Sequence, residues 1–72
     1  MQRDYRLSIF NDLYSEDTFI FKNKDFTFAR LNKINDSWCA WFYLYHIQRD
    51  YDTLKEAINA INTRFIRYYK GL

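Results

Sequence analysis

Cys39 and His46 are the only thiol and imidazole in this 72-residue chain, so they are the first side chains to weigh for nucleophilic or metal chemistry. On one extended strand their odd separation puts them on opposite faces, roughly 23 Å apart at about 3.3 Å per residue. On a helix they share a side but stand about 10 Å apart, still outside hydrogen-bond reach. Cys39 therefore reads as a small buried hydrophobe and His46 as a polar residue at a strand end. With one Cys, one His and one Gly, no zinc-ligand spacing and no phosphate-cradling glycine loop can be assembled. The expectation is a chain without catalytic residues, metal or cofactor, and not an enzyme.

The charged residues offer two further patterns. Asp50, Asp52 and Glu56 gather where a helix is expected to start, and carboxylates there complement the helix dipole. Arg64, Arg67 and Lys70 fall at steps of three on what reads as the outer side of that helix, next to Tyr68 and Tyr69. Cations in the last turns are favourable without any ligand, but with Lys33 they are also the candidate contacts for nucleic acid or an acidic surface. Arg49, Tyr51, Arg64, Arg67 and Lys70 together leave a toxin-like, metal-independent ribonuclease as an alternative, although no spacing singles out that chemistry.

The elements that must position these residues belong to a small molecule. Its length suits one domain spanning 1–72, because two would each lack a core. Eleven Lys and Arg against nine Asp and Glu give a net charge of +2, with both signs interspersed. That is far from the concentrated basic stripe of a dedicated nucleic-acid domain. The lone Cys fits a reducing compartment, hence a cytoplasmic location. The first ten residues hold Arg3, Asp4 and Arg6 and read as no signal peptide, and the longest apolar run, from Trp38 to Ile47, is about half a membrane span. Aromatic residues make up 22% of the chain, which compensates for small size or equips a partner surface, where Tyr and Trp are enriched.

Thr53 and Glu56 have capping-box spacing, and Leu54, Ile58, Ile61, Phe65 and Tyr68 recur on one helical face. A helix over 53–70 follows, with Gly71 as a left-handed stop. Thr18 to Lys22, Phe26 to Ile34 and Ser37 to Ile47 are rich in aromatic and β-branched residues, separated by the turn pairs Asn23-Lys24 and Asn35-Asp36. The fold class expected is α+β: a three-stranded antiparallel sheet followed by a C-terminal helix packed on one face. Tyr5 to Tyr14 fits a short helix or a fourth strand, with the balance slightly towards helix.

Two-residue turns would set Phe21 opposite Phe26, Phe19 opposite Phe28, Arg30 opposite Trp41, Ala29 opposite Phe42 and Leu31 opposite Ala40. One face is then nearly all aromatic and needs the helix. The other, carrying Leu31, Trp38, Phe42 and Leu44 with His46 at its edge, needs cover from residues 1–17, a second copy in a homodimer, or a partner. These five are the candidate partner-binding residues.

The order of three antiparallel strands and a helix, from Thr18 to Lys70, resembles the sheet-and-helix DNA-binding domains of the integrase arm-binding and plant ethylene-response type. That resemblance implies groove reading by Arg, Lys and Trp on the sheet face away from the helix. Here the expected face offers Lys33 and Trp38 near one end, but Leu31, Ala40, Phe42 and Leu44 at its centre. In size, in the abundance of Phe, Tyr, Asn, Ile and Lys that AT-rich codons encode, and in strand-helix plan, the chain is also similar to the small inhibitors of phages and mobile elements, anti-CRISPR proteins included. The function expected is non-enzymatic binding that inhibits or modulates a host protein, with a DNA-binding accessory role and the ribonuclease as alternatives.

Overall fold

A computed structural model describes residues 6–12, 15–24 and 26–71. Among these residues five strands, β1 (Ser8–Asn11), β2 (Thr18–Lys22), β3 (Thr27–Ile34), β4 (Ser37–Phe42) and β5 (Ile47–Tyr51), are followed by α1 (Leu54–Lys70). The strands form one antiparallel sheet in the order β1-β2-β3-β4-β5, each pairing with its neighbour in sequence. The class is α+β, as composition and periodicity indicate, with two more strands than the three expected. Among the described residues no helix is long and apolar enough to cross a membrane.

The helix starts where its capping chemistry says it should. Thr53 is extended (φ −128°, ψ 155°) and its hydroxyl accepts from the Glu56 backbone N–H, satisfying one of the amide donors that a helix leaves open at its first turn. The other end differs from expectation. Gly71 stays right-handed (φ −79°, ψ −11°) and donates to the Arg67 carbonyl, so no left-handed stop is used.

The β3–β4 hairpin is closed by Asn35 and Asp36, both left-handed at φ 50° and 64°. Such a two-residue turn matches the twist of the flanking strands. Ala29 faces Phe42, Arg30 faces Trp41 and Leu31 faces Ala40, as the sequence predicts.

The β2–β3 register departs from the expected one, with large consequences. No two-residue turn forms at Asn23-Lys24. Instead the Asn23 N–H donates to the Phe26 carbonyl, 3.0 Å away, and Phe21 faces Ala29, not Phe26. The slip is an odd number of positions, and an odd slip exchanges the two faces of a strand. Phe19 and Phe21 thereby join Ala29, Leu31, Ala40 and Phe42. A bulge between β2 and β3 leaves Phe28 as an extra residue, so Phe28 turns towards the helix together with its neighbour Ala29.

The second departure is at 43–46. The run from Ser37 to Ile47 is not one strand: it breaks at a turn over Tyr43 to His46, with His46 at φ 52°, and β5 returns along β4. Residues 8–11 form a strand on the edge of the sheet rather than a helix over it.

The core lies between the helix and this mixed face. Phe21, Phe28, Phe42, Leu31, Ile61 and Phe65 are its largest fully buried side chains, each contributing roughly 1.5–3 kcal/mol by leaving water. Phe28 is central, with ring centroids 5.1 Å from Phe65 and 6.0 Å from Phe42. Leu54, Ile58, Tyr68 and Tyr69 pack around it half-buried. The Tyr69 hydroxyl donates to Asn23 Oδ1, and Asn23 Nδ2 donates to the Arg6 carbonyl, which ties the end of the helix to the β2–β3 loop.

Candidate functional site

The helix covers the face that was expected to be left for cover by another element. Leu31 and Phe42, two of the five candidate partner-binding residues, are fully buried beneath α1, so neither belongs to a surface. Trp38 is half-buried on the same side, its ring 6.0 Å from that of Phe19 and with the Lys33 ammonium 5.9 Å from its centre. Leu44 and His46 are exposed, but in the β4–β5 turn. The reversal follows from the odd slip between β2 and β3, which brought Phe19 and Phe21 to the Ala29/Phe42 side and made that the face the helix covers.

Among the described residues no helix lies on the opposite face. Register places Phe10, Ile20, Arg30, Trp41 and Gln48 side by side in one row across all five strands. Phe10 is 53% exposed, Ile20 and Trp41 are half-buried, and Arg30 and Gln48 are exposed. A second row runs through Thr18, Asn32, Cys39 and Asp50. Thr18 is buried, its hydroxyl 3.2 Å from Ser15 Oγ and accepting from Asn32 Nδ2 at 3.0 Å. Ile34, beyond it, is 53% exposed. His46 flanks the face, its ring 6.3 Å from Trp41.

Cys39 lies on this bare face rather than in the core. Its pKa is raised, first by desolvation and then by the hydrogen bond and negative charge of Asp50 across the strand pair, each of which favours the neutral thiol. It is separated from His46 by the β4–β5 reversal. Among the described residues no group of three or more His, Cys, Asp and Glu is placed to hold a metal ion.

A concave site exists elsewhere. Between β5 and α1 a cleft of about 410 Å³ is lined by Tyr45, Tyr51, Asn59, Ala60, Thr63, Arg64 and Arg67. Arg64 is not on the outer side of the helix as expected. It is half-buried, its guanidinium carbon 4.8 Å from the centre of the Phe42 ring and 5.4 Å from that of Tyr45. The cleft thus gathers Tyr51, Arg64 and Arg67 from the candidate basic set, while Arg49, Lys70 and Lys33 lie outside it. The helical spacing pointed to Arg64 and Arg67. Tyr45 could be found only by recognising the turn that brings it under the helix.

Compared with known proteins, the chain matches no family model, no curated protein and no solved structure.

Proposed function

We propose that this chain is a non-enzymatic binding protein that docks a partner protein on the sheet face its helix leaves bare. The observation that carries this reading is the row Phe10, Ile20, Arg30, Trp41 and Gln48 across the whole sheet. Five strands about 4.8 Å apart form a platform roughly 20 Å wide; Trp, Phe and Arg are enriched at protein interfaces, and Trp and Arg are among the types that concentrate binding energy there. Charge argues the same way. Lys22 and Arg30 share the face with Asp50, too little net positive charge for an affinity dominated by phosphates.

In the setting that the AT-rich composition suggests, a phage or mobile element acting in the host cytoplasm, the partner is a host defence or nucleic-acid-processing protein. Docking then inhibits or modulates it, the mode of action of the anti-CRISPR class. Duplex DNA is the second reading. It is favoured by Arg30 facing Trp41 at the centre of the bare face, residue types that sheet-reading DNA-binding domains use.

Affinity capture from a host lysate with the wild type, Phe10→Asp and Arg30→Glu chains tests the proposal. Both positions are exposed, so the variants keep the fold. A discrete protein held by the wild type and lost by both variants supports the proposal. Equal retention by all three, or a homodimer in light scattering that hides this face with nothing bound, contradicts it. Duplex affinity that falls steeply with salt and is lost in Arg30→Glu would install the second reading.

A further inference from the structure

We propose that the cleft between β5 and α1 is a separate binding site for a segment of single-stranded nucleic acid, with a phosphate held by Arg64 and Arg67 and an adjoining base laid against Tyr45 or Tyr51. It is independent of the bare-face proposal, because the cleft and the row across the sheet share no residue.

The lining is chemically one-sided. Two guanidiniums, two phenols, Thr63 and Asn59 face the space, and among the described residues no carboxylate lines it. Among the described residues neither the Arg64 nor the Arg67 guanidinium has a hydrogen-bonded or carboxylate partner, and the ring contacts of Arg64 are with Phe42 and Tyr45. Helix-dipole complementarity does not explain Arg64, since that effect is confined to the last turn and the basic residues there are Arg67 and Lys70. These ring contacts leave the guanidinium N–H groups to be satisfied, and a planar fork of donors suits a phosphate better than a flexible ammonium does.

Arg67 stands one helical turn further on, on the same side, at the i,i+3 separation where side chains are neighbours. Anion and ring are then available together. Tyr51 ends β5 and Tyr45 lies in the turn before β5, so an aromatic ring is present at both ends of the strand that forms one wall. Basic groups tracking a backbone beside aromatic rings that accept bases are the recurring solution for single strands. A duplex hides the faces of its bases from such rings. The size is adequate, because a volume of about 410 Å³ falls within the range of small-molecule pockets, about 300–1,000 Å³.

The test is a fluorescence-anisotropy titration of the full chain with a short labelled oligothymidylate at low salt, with unlabelled duplex and inorganic phosphate as competitors. Expected are saturable binding, weakening as salt rises from about 50 to 200 mM, and a loss of about tenfold or more in Arg67→Glu, as for a charge-assisted phosphate contact. At least one of Tyr45→Leu and Tyr51→Leu, which keep an apolar filler but remove a ring, weakens binding while the salt dependence persists. Phe10→Asp, on the other face, binds as the wild type does. Thermal unfolding of each variant separates a lost contact from a lost fold, and Arg67 is exposed. The site assignment is overturned by absence of binding at low salt or by undiminished affinity in Arg67→Glu. It is equally overturned by loss in Phe10→Asp, or by inorganic phosphate or duplex displacing the oligonucleotide as well as an unlabelled single strand does.

Discussion

Phe28 and Ala29 are consecutive in β3, and both are fully buried on the helix side of the sheet. In a regular strand one of two neighbours must face away. The bulge opposite Lys22 removes that constraint, and it places the Phe28 ring within 5.1 to 6.5 Å of five other aromatic rings, those of Phe26, Phe42, Tyr45, Phe65 and Tyr68. The bulge lets both residues serve the one sheet face that α1 covers.

Phe28→Ala should therefore be among the most damaging single substitutions in the chain, costing about 3–5 kcal/mol as a large buried ring lost from a packed core. Phe10→Ala, on the exposed face, should lie within about 0.5 kcal/mol of the wild type. Urea unfolding with unchanged slope measures both. Similar losses at the two positions would place Phe10 in a core, contrary to its exposure.

The Cys39 thiol should ionise less readily than a free cysteine, because desolvation and then Asp50 disfavour its charged form. At a fixed mildly alkaline pH its alkylation by iodoacetamide should be slow, since only the thiolate reacts. Asp50→Asn removes the negative charge, so the midpoint of the rate's pH profile should move down. A midpoint that stays in place or rises would show that Asp50 has no hold on the thiol.

His46→Gly should raise stability. His46 sits at φ 52°, a left-handed conformation costing a residue with a side chain about 1–2 kcal/mol, partly offset by the greater chain entropy that Gly loses on folding. A gain of about 0.5–1 kcal/mol, seen as a higher Tm, is expected. A lower Tm would mean that the imidazole's contact with Trp41, at 6.3 Å, outweighs the backbone strain.

These residues also mark where the sequence was legible. The Thr53 cap, the extent of α1, the Asn35-Asp36 turn and the β3–β4 register follow from local chemistry, and local chemistry can be read from a few adjacent residues. The turn over Tyr43-Leu44-Tyr45-His46 contains none of Gly, Pro, Asn or Asp, so an aromatic run concealed it. β5, Ile47–Tyr51, is polar at its centre, where Gln48, Arg49 and Asp50 are exposed, so it lacks the apolar alternation that marks a strand. A bulge has no reliable signature of its own, since it is set by which packing of the phenylalanines wins. One missed bulge and one misread turn interchanged the faces of β2, and the candidate surface moved from Leu31 and Phe42 to Phe10, Ile20, Arg30 and Trp41. The cleft was half visible: Arg64 and Arg67 shared a helical side, but nothing local says that the turn will set Tyr45 against Arg64.

The most direct measurement of the central proposal is an amide chemical-shift footprint of the labelled chain with its captured partner protein. Docking on the bare face predicts perturbations centred on β2, β3 and β4 around Ile20, Arg30 and Trp41, with the outer side of α1 unchanged. Perturbations confined to the helix or to the β5–α1 cleft, with Ile20, Arg30 and Trp41 unmoved, would contradict it.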